Sequence, residues 1–465
     1  MNNILSLDEI NDITDKNYNK KFDNLTSFID DSLISNVLTK DKKSYVSSKV
    51  IRYILGEYIE IKEPYRLRNP DLICFSLDIE SLSEAFENVY NIWEEDNKTK
   101  GILYPYCIFA NNIQLDRLYQ RAKDIASSRF KLACFILEAI ALSGSKRGLG
   151  LVYEASRKFK QASVRNTCSS ILDYITKKLG ISKEAFADKI IPDFDFDKNG
   201  IRIIESEDKR FRVTLNYDFT ISIFDEIKNK EYKTLPKDFP EVPKKELSKL
   251  KSEINKVLKL QTERLQLVFM DARKWTLDEW KEIFFENPIM KVFAVKLIWG
   301  IYDNNNKLLN TFRYMEDGSF NNAYDEEISI EGDVFITLIS PIELEKSLIE
   351  KWKNQLADYD IIQPFKQLSL ENKDDLIEKI PKTITVGAMK SLASKFSMEK
   401  NDGDGGFIYN YFIHDTYKDA YIIIEPSNVY YGSSNNDETD IKIKFENADE
   451  RFEYGAYLML SENIK

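Results

Sequence analysis

Between Leu132 and Leu179 apolar residues recur every three or four positions. Leu132, Phe135, Ile136, Ala139 and Ile140 form one stripe, and Ser143-Gly144-Ser145 interrupts it. Leu149, Val152, Tyr153 and Phe159 form a second; Val164, Cys168, Ile171, Leu172, Ile175 and Leu179 form a third, closed by Gly180. A 3.6-residue period broken by short polar gaps predicts helices of roughly 14 to 18 residues packed as antiparallel neighbours. Gly180 is placed as the left-handed residue after the last turn. Upstream, Val50, Ile51, Ile54, Leu55 and Tyr58 repeat the spacing over Ser47–Ile61. Residues 1–190 therefore read as all-helical, in the manner of HEAT-like or armadillo-like stacks, with a plain helical bundle as the other arrangement.

The period then changes. Phe211, Val213 and Leu215 alternate with polar residues, as do Phe219, Ile221 and Ile223, which predicts a small β-meander over residues 191–243. Its entrance, Asp195 to Ser206, imitates a calcium loop but puts serine where a bidentate glutamate must close the shell, so Asn199-Gly200 is read as a tight turn. Residues 228–244 hold Pro236, Pro240 and Pro243 among charges, a stiff linker and domain boundary.

Residues 244–465 read as a mixed α+β domain with antiparallel strands. A helix is expected from Lys244 to Arg273, buried along Ile254, Val257, Leu258, Gln261, Leu265 and Val268. Arg264 and Arg273, nine apart on that helix, would face opposite sides. Thr276 with Glu279, and Ser340-Pro341 with Glu343, form capping boxes; the second is expected to start a helix reaching Leu356. Strands are expected over Val292–Tyr302, Leu308–Tyr314 and Ile328–Ile339, a helix over Met389–Phe396, and four or five further strands ending at Leu460. The fold class is α+β.

Composition narrows the chemistry. The 465 residues carry 66 Lys+Arg against 77 Asp+Glu, and 43% are hydrophobic, which excludes a disordered chain. Four cysteines without a CxxC pair exclude a disulfide scaffold. No apolar run spans a bilayer and no secretory signal is visible, so a soluble, cytoplasmic protein is expected, with no membrane partner. The one histidine, His414, sits in the alternating run FIYNYFIHD and is expected in a strand, which leaves no histidine triad or multi-histidine metal site. Neither a Walker A loop nor GxGxxG occurs. Residues 117–189 hold 15 Lys+Arg against 6 Asp+Glu, a local +9 that leaves −20 for the rest of a chain of net −11. Such a segment can face nucleic acid, an acidic partner, or the acidic remainder of the chain itself.

A set of residues from Gln261 to Gln367 carries a resemblance. It comprises Arg264, Met270, Arg273, Trp275, Pro288, Leu297, Trp299-Gly300, Phe312-Arg313, Asp317-Gly318, Pro341, Trp352, Asp358-Tyr359 and Gln363-Pro364-Phe365-Lys366-Gln367. Upstream, Pro192–Gly200 and Leu235-Pro236 extend it. The set resembles the bacterial domain-of-unknown-function family found in the C-terminal region of the molybdate metabolism regulator, over roughly residues 130 to 460. The resemblance implies helical repeats ahead of an α+β domain and implies no reaction. Relatives tend to carry His-Pro where this chain has Asn287-Pro288 and Ser340-Pro341, and the Trp-Gly-Arg module fused to larger relatives is not evident, since Ile301 follows Trp299-Gly300.

The candidate ligand-binding residues are Arg273, Trp275, Arg313, Asp317, Gln363 and Gln367, a polar set that would converge beside aromatic rings. The competing reading places Trp275, Trp280, Trp299 and Trp352 in a hydrogen-bonded core. Asp358-Tyr359-Asp360 and Asp402-Gly403-Asp404 read either as divalent-ion ligands or as exposed turns. No catalytic residue, metal or cofactor is assigned. The expected function is a non-catalytic regulatory or scaffold protein that holds a protein partner. The alternatives are an enzyme using arginine and carboxylates on a phosphorylated or nucleotide-like ligand, and a nucleic-acid-linked regulator working through residues 117–189.

Overall fold

The computed structural model describes residues 4–464 apart from 207–208, 235, 237–240 and 416–417; at 206, 241–243 and 245–246 it describes backbone alone. Leu235 and Pro240 of the expected linker thus lie outside the described residues. The chain divides into two compact units, residues 1–191 and 192–465. The fold is α+β, with antiparallel pairing in every sheet.

The first unit is helical: α1 (Leu7–Asn17), α2 (Lys21–Leu25), α3 (Ser48–Glu60), α4 (Arg68–Phe75), α5 (Ile79–Ile92), α6 (Leu103–Ile108), α7 (Asn112–Ile125), α8 (Phe130–Leu142), α9 (Lys146–Lys158), α10 (Ala162–Leu179) and α11 (Lys183–Lys189). Their apolar stripes close one core through Ile54, Tyr58, Leu103, Leu137, Val152 and Cys168. Helix ends are satisfied locally. Asn111 and Gln114 form a capping box on α7, and the Ser145 and Ser182 hydroxyls accept from Gly148 N and Ala185 N, each at 3.0 Å. Gly180 ends α10 at φ +68°.

The second unit begins with a four-stranded meander: β1 (Ile201–Ser206), β2 (Lys209–Leu215), β3 (Ile221–Asp225) and β4 (Lys230–Tyr232). Its entry turn needs glycine, because Gly200 has φ +72°. The Asp197 carboxylate accepts from Asn199 N at 2.8 Å and Ile201 N at 2.9 Å, so its lone pairs shape the turn. Next comes α12 (Glu241–Asp271). Ala272 is left-handed at φ +58°, so the helix stops short of Arg273, and the opposite-face geometry expected for Arg264 and Arg273 does not arise.

A five-stranded sheet follows in the order β5-β9-β6-β7-β8. Its strands are β5 (Trp275–Thr276), β6 (Ile298–Tyr302), β7 (Leu308–Tyr314), β8 (Phe320–Asn321) and β9 (Phe335–Leu338). Between β5 and β6 lie α13 (Leu277–Trp280), a π-helical turn (Lys281–Phe285) and α14 (Pro288–Lys296). Two expectations fail here. Val292–Lys296 is helical, because the Asn287 side chain accepts from Ile289 N and Met290 N while Pro288 occupies the first turn. An almost wholly buried run looks the same in sequence as strand or helix. Of Ile328–Ile339, only Phe335–Leu338 is strand. After β9 a 3-10 turn (Pro341–Glu343) precedes α15 (Lys346–Asp358).

The chain closes with α16 (Lys373–Glu378), β10 (Thr383–Thr385), α17 (Val386–Lys395), β11 (Glu399–Asp402), β12 (Ile408–Asp415), β13 (Ala420–Pro426), β14 (Glu438–Glu446) and α18 (Glu450–Asn463). The strands form a sheet ordered β10-β14-β13-β12-β11. Strands were expected to reach Leu460, yet Asp449 caps a helix there, its carboxylate accepting from Phe452 N at 2.8 Å. Gly455 lets α18 cross α12 closely, since a Cβ there would stand 2.8 Å from Met270 Cα. Among the described residues no helix is long and apolar enough to cross a membrane.

Candidate functional site

Four tryptophans anchor the middle sheet, and all are buried. Trp280 packs edge-on to Trp299 at 5.3 Å and to Phe312 at 5.6 Å, while Trp275 meets Phe284 at 5.1 Å. The π turn carries Phe284 into this cluster, 4.6 Å from Trp299. Trp299 donates to Ala294 O at 3.1 Å and Trp352 to Thr311 Oγ1 at 3.0 Å. These indoles fill a core.

The candidate residues are built around that core and bond to different partners. The Arg273 guanidinium lies 5.2 Å from the Trp275 ring centre, and the Arg273 backbone N–H donates to Asp271 Oδ1 at 2.8 Å. Arg313, on β7, is buried; it stacks on Tyr359 at 4.4 Å and donates through Nε to Gln355 Oε1 at 3.1 Å. Burial lowers its pKa from the usual arginine value. Tyr359 donates to Asp325 Oδ2 at 2.7 Å. Asp317 sits in an exposed turn and accepts from Ser319 N at 3.0 Å and Ser319 Oγ at 2.7 Å, bonds that hold its carboxyl below the usual carboxylate range.

Gln363 and Gln367 do come together, Nε2 of the first donating to Oε1 of the second at 3.0 Å. Gln367 is fully buried and behaves as a piece of strand. Its Oε1 accepts from Ile298 N at 2.9 Å; its Nε2 donates to Ile298 O at 2.7 Å and Ile339 O at 3.1 Å. The amide closes the seam between the start of β6 and the chain leaving β9, where buried backbone groups need partners. The structure thus joins Arg273 to Trp275 and Gln363 to Gln367, gives Arg313 to Gln355 and Tyr359, and leaves Asp317 in its own turn.

A second constellation lies where the ends of α12, β12 and α18 meet the middle sheet. Arg451 bridges to Glu343 and donates to Leu338 O; Tyr302 donates to Glu343 Oε1 at 2.8 Å. Lys274 lies 4.1 Å from the Tyr302 ring centre and donates to Asn306 Oδ1 at 2.8 Å. Lys418 pairs with Asp449 at 2.8 Å. Burial, then the positive charge of Arg451, lowers the pKa of Lys274. Burial, then the neighbouring Asp415, pushes the carboxyl of Asp271 up to about 7 against the pull of the Arg273 N–H. A carboxyl titrating near neutrality among cations can hold or release a proton under ordinary conditions. Periodicity could not reveal this group, because its members come from segments far apart in sequence.

His414 is a strand residue, its ring stacked on Tyr421 at 4.1 Å and its Nε2 2.9 Å from Asp419 Oδ1. Asp402 binds Lys400 at 3.0 Å and the Tyr431 hydroxyl. Among the described residues no group of three or more histidine, cysteine, aspartate or glutamate side chains could hold a metal ion.

Residues 230–372 match a domain of unknown function, DUF4132. Over 291 residues the chain is 25% identical to the uncharacterized protein YehI of Escherichia coli strain K12, an alignment covering 59% of this chain and 24% of that protein. The chain thus spans about a quarter of the length of the curated relative it matches. No solved structure matches it. These matches correct the resemblance to the molybdate metabolism regulator family, which they do not support. The residues that suggested it include Trp275, Trp299, Phe312, Arg313, Trp352 and Gln367, all buried, and such a set marks a way of packing.

Proposed function

We propose that the chain is a non-catalytic scaffold or regulatory protein whose helical unit grips an acidic macromolecular partner. The observation that carries this reading is the positive charge left over after internal pairing. Arg117 pairs with Glu87, Arg121 and Arg129 with Glu95, Arg147 with Asp116, and Lys183 with Asp173. Lys123, Lys131, Lys160, Lys177 and Lys178 are exposed, and none of them forms an ion pair among the described residues. Unpaired surface lysines steer an anionic partner at long range and are screened by salt.

The helix order supports a HEAT-like reading. α7 packs on α8 and also on α9; α8 packs on α9 and also on α10, the next-neighbour contacts expected of stacked helical pairs. Such stacks present extended surfaces to partners. In the second unit the committed hydrogen bonds of Arg313, Asp317 and Gln367 favour holding over chemistry.

The test uses the immobilised full chain beside a variant with Lys131, Lys160, Lys177 and Lys178 changed to Glu, matched for helicity by circular dichroism. A partner held at about 50 mM salt, released near 500 mM and lost by the variant is the expected outcome. Equal retention by both proteins, or no partner under any condition, overturns the proposal.

A further inference from the structure

Phe285 ends the π turn, and two lysines from different elements converge on its ring. Lys198, from the loop before β1, lies 5.5 Å from the ring centre, and Lys291, on α14, lies 5.4 Å from it. Lys291 is also 5.9 Å from the ring centre of Tyr314. Neither lysine forms an ion pair among the described residues, although Asp197 and Glu286 lie within electrostatic reach of Lys291. Burial, then the like charge of Lys198, lowers the pKa of Lys291, so each ammonium makes the other less comfortable.

Beneath them, two polar groups are unspent. Tyr314 is wholly buried and its hydroxyl has no hydrogen-bond partner. Trp280, whose ring centre is 5.8 Å from that of Tyr314, is likewise wholly buried with an unpartnered indole N–H. Leaving a buried donor without a partner is costly, and such a group calls for an explanation. The hydroxyl lies 3.7 Å from where a Cβ on Gly318 would stand, so it sits under the β7–β8 turn.

Every unspent group here can donate: two ammoniums, a phenol and an indole N–H. The ligand that complements a set of donors is one that only accepts and carries negative charge. We propose that the face formed by Lys198, Phe285, Lys291 and Tyr314 binds the phosphate group of a small phosphorylated molecule. A polyanion fits less well, because Asp197 and Glu286 lie close to Lys291, and Asp317 close to Tyr314, and would repel the phosphates next to the bound one. This goes beyond the scaffold reading, which rests on lysines of the other unit.

The experiment is calorimetric titration of the full chain at low salt with inorganic pyrophosphate, with ATP and with a single-stranded oligonucleotide of about 15 residues. Pyrophosphate or ATP should bind. Lys198→Gln with Lys291→Gln should weaken that binding about tenfold or more, and Tyr314→Phe about threefold, with the melting temperature kept within a few degrees. Should the double variant fail to fold, exposed Lys198→Gln alone carries the test. Absence of binding by both small probes, unchanged affinity in the lysine variants, or lysine-dependent binding of the oligonucleotide alone overturns the proposal. The pull-down with the helical-unit variant stands or falls separately.

Discussion

The two units solve the same problem, the burial of backbone polar groups, by different means. In residues 1–191 the helices pair their own N–H and C=O groups, so only their ends need help, and short side chains such as Ser145 and Ser182 supply it. The core between them is aliphatic and aromatic, and its stability is spread over many similar contacts. In residues 192–465 the seams of the sheets are closed by long polar side chains. Gln367 stands in for a strand, Arg451 caps Leu338 O, and Gln355 donates to Asn322 O at 3.0 Å. Beside the apolar cores of that unit, these few polar side chains hold positions that no aliphatic side chain can fill.

That contrast can be broken by experiment. Gln367→Ala would leave Ile298 N–H and the Ile298 and Ile339 carbonyls without this amide in a buried seam. Chemical denaturation should register a loss of about 3 kcal/mol or more; a loss under about 1 kcal/mol would show that the amide does not close the sheet.

Asp271→Asn should act in the opposite sense. Burial raises the Asp271 carboxyl from 3.8 to about 7, so the folded state holds that proton more tightly than the unfolded chain. The contribution of this group is fully present below its unfolded value near 3.8 and is lost as pH rises through about 7. Asparagine keeps the oxygen that accepts from Arg273 N and removes the charge. The variant should therefore melt higher than the native chain at pH 8, by roughly 2–4 °C for each kcal/mol released, and alike at pH 4. An equal gap at both pH values would sink the assignment. The smallest effect belongs to the helical unit. Ser145→Ala, which removes the cap on Gly148 N, should cost about 1 kcal/mol in the same denaturation assay, and a cost matching that of Gln367→Ala would erase the contrast.

Legibility follows the same division. α9 and α10 could be read from sequence because each keeps partly exposed positions between its buried ones, so its apolar stripe carries the 3.6-residue period; α8, though largely buried, is interrupted at the right spacing by Cys134 and Glu138. Gly180 and the Thr276–Glu279 box were equally readable, since local chemistry dictates them. Val292–Lys296 and the segment after Asp449 look like strands in sequence although both are helical, because Val292, Phe293, Ala294 and Val295, like Leu458, Met459 and Leu460, are apolar and buried in succession. A run hidden on all sides has no period to read. Among the candidate residues, the Gln363–Gln367 contact forms in a non-helical segment, so i,i+4 spacing does not account for it. The stacking of Arg313 on Tyr359, and the gathering of Lys198 with Lys291 on Phe285, depend on chain crossings that no local pattern encodes.

The Gln367 amide also bears on how this protein ages. Glutamine is among the side chains that lose their amide nitrogen with heat and time. Deamidation at this position would turn the donor toward two carbonyls into an oxygen facing oxygens. The reaction requires water, which the closed sheet keeps out while Gln367 holds it shut. The lesion therefore has to begin during a transient opening, and once made it would stop the strands from closing again, so a reversible fluctuation would become permanent damage.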